Sequence, residues 1–200
     1  MDASDDCDPK LVIALPSEIF WHLIKFSRLS SVKFIGIGNY NLDDRFINDV
    51  TVAWLKIWAL KFAPMRCASY TITFTAMISL SSRCRSLHTL HLTLDATQST
   101  TIPQAPDGME DLWPMQTALR KLHLGHSEVL KVVGIPYFLA EVFPTLSDFK
   151  SYYCYCNPNI DRIQSGLLEA WGQLRLLQKG EELEEEEEEE RVKEDSDDDA

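Results

Sequence analysis

Apolar residues recur along the middle of the chain in a fixed three-position figure. Leu87-His-Thr-Leu90-His-Leu92, Leu119-Arg-Lys-Leu122-His-Leu124 and Ile57-Trp-Ala-Leu60-Lys-Phe62 each carry apolar side chains at i, i+3 and i+5. Leu29-Ser-Ser-Val32-Lys-Phe34 fits the same template, and Leu146-Ser-Asp-Phe149-Lys-Ser151 fits its first two positions. The starts fall at residues 29, 57, 87, 119 and 146, so the figure returns every 27 to 32 residues. Positions i+3 and i+5 share one face of an extended strand and i+4 points to the other, so each figure predicts a short strand with one buried face. Recurrence at this period predicts stacked equivalent units. Each is too small to bury its own apolar face and returns to the next strand through a second element.

Those returning elements are legible between the figures. Asp43 or Asp44 caps a helix carrying Phe46, Ile47, Val50 and Trp54, and Thr73 caps one carrying Phe74, Met77, Leu80 and Cys84. Pro136 suits the first position of a helix carrying Phe138, Leu139, Val142 and Phe143. The stretch 101–108, with Pro103, Pro106 and Gly108, reads as an inserted loop. Ile160, Ile163, Leu167, Trp171, Leu174 and Leu177 form the apolar stripe of a closing helix that stops at Gly180. The expected fold is α/β: a leucine-rich-repeat solenoid over 29–178. It has about five short parallel strands, helices or loops on the outer face and a C-terminal capping helix. Residues 11–28 form an N-terminal cap, 1–10 are disordered, and 180–200 are a disordered acidic tail.

Charge confirms the division at Gly180. The formal net charge is −12, yet residues 181–199 alone hold 14 acidic side chains against two basic ones, so the body is neutral. Nearly all of the 45% hydrophobic residues lie in that body, enough for one sizeable core. A neutral body offers no bulk basic surface, so no direct nucleic-acid binding is expected. No apolar run nears the roughly 20 residues a membrane span needs, and the acidic start lacks the features of a secretory signal. Cysteines 7, 67, 84, 154 and 156 are odd in number with no C-x-x-C pair, which fits reduced thiols in a cytoplasmic or nuclear protein.

With the figures in register, particular wording emerges: "NLDDRFINDVTVAW" before Ile57, "LSSRCRSLHTLHLTLD", "ALRKLHLGHSEV", and "PYFLAEVFPTLSDF" with its Phe143-Pro144-Thr145-Leu146 step. These resemble the C-terminal halves of fungal F-box/leucine-rich-repeat proteins over roughly residues 29–178, with Leu55 standing where that family usually has Pro. The resemblance implies a non-catalytic module that holds a protein substrate on its concave face for a cullin-type ubiquitin ligase. It also implies an F-box that binds a Skp-family adaptor. Leu15-Pro16-Ser17-Glu18-Ile19 looks like the opening of an F-box, which makes Leu15, Pro16, Glu18 and Ile19 the candidate adaptor-binding residues. A complete F-box does not fit before Leu29. Residues 35–41 are turn-rich, and a capping helix or an F-box remnant is what 11–28 can hold. A different class is the acidic leucine-rich nuclear phosphoproteins, which join a short repeat array to a Glu/Asp tail. By that likeness the tail binds histones or other basic proteins, as a chaperone does.

The i+4 positions supply the candidate site. Lys33, Lys61, His91, His123 and Lys150 fall in one column on the open face, all basic or protonatable although the body is neutral. The i+2 column (Ser31, Ala59, Thr89, Lys121, Asp148) shows no such bias. The basic column is expected to contact an acidic or phosphorylated partner, strengthened when the two imidazoles take up protons. The acidic tail is a candidate competitor, and Ser196 before three Asp is a candidate phosphorylation site. His88 and His91 lie three apart, as do His123 and His126, so on a strand they point to opposite faces and do not chelate one ion. No metal or cofactor is expected. Cys154-x-Cys156 reads as core filling, and no nucleophile sits beside a base in any motif, so no enzymatic activity is expected.

Overall fold

The computed structural model describes residues 14–64, 71–96, 114–125, 127–129, 134–150, 169 and 171–176. The loop at 101–108, Cys154, Cys156, His126, Ser196 and the acidic tail lie outside the described residues. The chain runs β1 (Ala14–Pro16), α1 (Ser17–Ile24), β2 (Ser31–Ile35), β3 (Asn39–Asn41), α2 (Asp44–Ala53), β4 (Ala59–Ala63) and α3 (Phe74–Arg83). It continues β5 (Thr89–His91), β6 (Asp95–Ala96), β7 (Lys121–His123), β8 (Glu128–Val129), α4 (Ile135–Val142) and β9 (Asp148–Lys150). The fold is α/β with parallel strands. Among the described residues no helix is long and apolar enough to cross a membrane.

Five strands form one open sheet in chain order, β2-β4-β5-β7-β9, every neighbouring pair parallel. The i+3 residues of all five figures stand in one row: Val32 beside Leu60, Leu60 beside Leu90, Leu90 beside Leu122, Leu122 beside Phe149. Leu60, Leu90 and Leu122 are fully buried, and Ile57, Leu87, Leu119 and Leu146 at position i are buried with them. Hydrogen bonds repeat with the figure. The amides of Ala59, Thr89, Lys121 and Asp148 donate to the carbonyls of Ser30, Trp58, His88 and Arg120 at 2.9 to 3.2 Å.

Helices connect the strands, and their capping follows the sequence. Asp43 accepts a hydrogen bond from the Phe46 amide at 2.8 Å, and the Thr73 hydroxyl accepts one from Thr75 at 3.1 Å. Asp44 takes a different part: its carboxylate accepts from the Thr73 amide and hydroxyl, both at 2.7 Å, tying the start of α2 to the start of α3. Phe46, Ile47 and Val50 of α2 with Trp54 at its C-terminal end, and Phe74, Met77 and Leu80 of α3 with Cys84 at its C-terminal end, are fully buried in one core with the strand leucines. In α4 Pro136 occupies the second helical position, not the first. Gly134 precedes the helix at φ +92, a left-handed turn that a side chain would strain.

Residues 35–41 are more ordered than their turn-rich composition suggests. Gly36 and Gly38 turn the chain at positive φ, and β3 then pairs in parallel with β1, Leu15 beside Tyr40. A single ring seals this end of the core. Phe20 of α1 is 3% exposed and meets Phe34, Tyr40 and Phe62 at centroid distances of 5.1 to 5.5 Å. At the other end residues 171–176 are helical, Trp171 stacks on Phe149 at 5.4 Å and Leu174 is fully buried. Ile160, Ile163, Leu167 and Leu177 of the expected closing stripe lie outside the described residues.

One buried polar side chain holds the third turn. Gln116 is 1% exposed; its amide nitrogen donates to the carbonyls of Cys84 (3.1 Å) and Leu87 (2.9 Å). Its oxygen accepts from the amides of Ala118 (3.0 Å) and Leu119 (2.7 Å). Four backbone groups at the entries to β5 and β7 thereby find partners in a place that water does not reach. Gln116→Leu keeps the volume and removes all four bonds. It is expected to lower unfolding free energy in urea by about 2–4 kcal/mol, and a loss below about 0.5 kcal/mol would contradict this role.

Candidate functional site

The i+4 residues are brought together as the sequence implies. Register places Lys33 beside Lys61, Lys61 beside His91, His91 beside His123, and His123 beside Lys150. The apolar row points into the core with the helices. This column points to the other face, on which no helix lies among the described residues. Neighbouring strands sit about 4.8 Å apart, so five basic or protonatable groups share a line of about 19 Å.

The line is not uniform. Lys33 is exposed and Lys61 half-buried, whereas His91 is only 6% exposed and the His123 side chain 14%. The two imidazoles meet edge to face at 5.2 Å between centroids. The Asp148 carboxylate lies 3.4 Å from the Lys150 ammonium and 3.9 Å from His123 Nε2. The column therefore divides. Its β7–β9 end carries its own anion. Lys33 and Lys61 at the β2–β4 end form no ion pair with any described carboxylate.

His123 behaves against the simplest expectation of a protonating groove. Burial pushes its pKa below the ordinary histidine range, Asp148 pulls it back up, and Lys150 and Lys61 add to the depression. It stays neutral near pH 7 and contributes no cation there. Lys33, Lys61 and the exposed Lys121 of the i+2 row thus carry the uncompensated lysine charge of this face among the described residues.

Sequence reasoning missed Asp148 as the neutralising group, although the signal was present. Positions i+2 and i+4 of one strand share a face, so Asp148 and Lys150 were bound to be neighbours. It also missed Ile35, which follows the first figure on the same face and is 56% exposed. The candidate adaptor residues occupy the opposite corner. Leu15 is half-buried in β1 against Tyr40, Pro16 precedes the first turn of α1, and Glu18 and Ile19 are exposed on α1.

The remaining chemical candidates are accounted for by packing. Cys84 is fully buried, its thiol 3.9 Å from the Trp54 carbonyl, and burial pushes its pKa up to about 11 against the pull of Arg83, so it stays a thiol. His88 stacks on the exposed Trp58 ring at 5.8 Å and its Nδ1 lies 3.0 Å from the Ser86 carbonyl. Among the described residues no three His, Cys, Asp or Glu side chains converge as a metal site would require. A cavity beyond the ends of β4 and β5, lined by Tyr40, Leu42, Phe62, Pro64, Ile72, Leu92 and Thr93, measures about 20 Å³, room for one water molecule. Comparison with family models, with curated proteins and with solved structures finds no match to this chain.

A histidine whose folded pKa lies below its unfolded value contributes stability above the unfolded pKa, near pH 6.5, and that contribution is lost as pH falls through the folded value. The urea midpoint is therefore expected to fall between about pH 7.5 and 5.5, and His123→Gln to reduce that fall. An identical pH dependence in the two proteins would contradict the burial of His123.

Proposed function

We propose that the chain is a non-catalytic protein-recognition module, a leucine-rich-repeat solenoid that holds an acidic segment of a partner on its helix-free face. One observation carries this reading: Lys33 and Lys61 stand side by side in register with no described carboxylate beside them. Two like charges at strand spacing repel one another, and an anion set between them relieves that repulsion. The neutral body makes the local excess more telling, because it is placed rather than general. Asp148 shifts the emphasis along the column: the sequence pattern treats Lys150 as an equal member, whereas its charge is met within the fold.

The likeness of the repeat wording to F-box/leucine-rich-repeat proteins supplies a setting for that binding. In it, the held segment belongs to a substrate delivered to a cullin-type ubiquitin ligase. The N-terminal segment is then a cap whose exposed Glu18 and Ile19 are what remains available to a Skp-family adaptor. Phe20, the residue between them and Trp21, is committed to the core. The histone-binding alternative rests on the acidic tail, and nothing in the described residues favours it.

The test is fluorescence anisotropy with an acidic peptide of six or more Asp and Glu residues at low salt. Lys33→Glu and Lys61→Glu are each expected to weaken binding at least about tenfold, and Lys150→Glu less than about threefold. Added salt is expected to weaken the wild-type complex. Equal losses at all three positions would remove the division of the column, and no loss at Lys33 or Lys61 would remove the proposed site.

A further inference from the structure

Strand β2 is an edge of the five-stranded sheet, and its backbone shows which groups are left over. Ser30 accepts hydrogen bonds from Trp58 and Ala59, and Gly36 donates to the Ala63 carbonyl at 3.0 Å, so the even-numbered residues of this stretch turn their amides toward β4. Along a strand the direction alternates. Ser31, Lys33 and Ile35 therefore turn N–H and C=O outward, where no described residue pairs with them. The same three residues put their side chains on the helix-free face and are all exposed, Ile35 by 56%.

A bare row of backbone donors and acceptors is a template for one more strand. Its side chains decide what that strand is. The residue set opposite Lys33 comes within about 5 Å of it on the same face, and the residue opposite Ile35 lies two positions away. Lys33 has no ion pair with a described residue and has Lys61 at its back, so a carboxylate is favoured there and a cation or a second Lys33 is rejected. A symmetric pair of two β2 edges centred on Lys33 would oppose lysine to lysine, which argues against a second copy of this chain as the occupant.

We infer that the outer edge of β2 takes an extended acidic segment of a partner protein as an additional strand, with a carboxylate opposite Lys33 and an apolar side chain opposite Ile35. The inference rests on the recognition reading above and adds to it how the partner is held: by its backbone, with Lys33 and Lys61 reading its charge. A parallel partner then reads acidic-x-apolar and an antiparallel one apolar-x-acidic.

The probe is a capped, fluorescein-labelled peptide Thr-Ile-Thr-Glu-Thr-Ile-Thr, whose symmetry satisfies both directions, titrated against the full-length chain. A strand offers only one edge to its neighbour. N-methylation of peptide positions 2, 4 and 6, or of positions 3 and 5, is therefore expected to weaken binding at least about tenfold for one set and less than about threefold for the other. Replacing the central Glu by Lys, or Lys33 by Glu, is expected to cost about tenfold or more, and Ile35→Thr a smaller, measurable loss. Equal tolerance of both methylated sets, with charge reversal still decisive, overturns the edge strand and leaves the acidic-ligand reading standing. Equal loss from both sets overturns it as well, as does failure of the parent peptide to bind while the flexible acidic peptide binds. If sedimentation shows that Lys33→Glu dissociates a dimer of the wild-type chain, the edge is filled by a second copy and the inference falls.

Discussion

The parallel register of the sheet is the constraint from which the rest follows. Once Leu60, Leu90 and Leu122 share a buried row, the residues one step away must share a row on the opposite face. The core thus sets the surface: the same pairing that removes leucines from water aligns Lys33 with Lys61 and His91 with His123. A slip of one residue in any strand would turn its leucine to solvent, at a cost of roughly 1.5–3 kcal/mol in burial alone. Register is fixed by the inward face, and the outward face inherits it.

Charge on the inherited face is then edited locally. Asp148 stands in the i+2 row within reach of Lys150 and His123, and burial keeps His123 neutral. The lysines without a described carboxylate partner are Lys121 and the pair at the β2 end, and that pair lies at a sheet edge whose outward amides have no described partner. Unpaired charge and outward backbone meet at the same strand. That coincidence is why β2, not the centre of the column, is the place we propose for a partner.

The sequence made the strands plain because the i, i+3, i+5 figure is both apolar and regular, and the helices plain because Asp43 and Thr73 sit one step before apolar periods. It concealed what depends on lateral contact. Asp44 reads as a second choice of cap, yet it bonds Thr73 in the next unit, 29 residues away. Gln116 looks like an ordinary polar residue in a loop, yet it closes four backbone bonds. Residues 35–41 read as turn because two glycines and two asparagines outweigh Tyr40, whose buried ring beside Phe20 gives β3 its place. The column was legible as a list, while its division into a neutralised and a free end required the positions of Asp148 and the exposure of each member.

All of this depends on one ladder. Its most direct test is an interstrand NOE measurement on the isotope-labelled chain. The amide protons of Ala59, Thr89, Lys121 and Asp148 should each show a strong cross-peak to the Hα of the residue opposite, Ser31, Ala59, Thr89 and Lys121 respectively, which follows the residue whose carbonyl the amide bonds. Four such contacts in one spectrum would establish the parallel register from β2 to β9. Cross-peaks displaced by one residue, or linking strands that are not neighbours in this order, would contradict the account at its base.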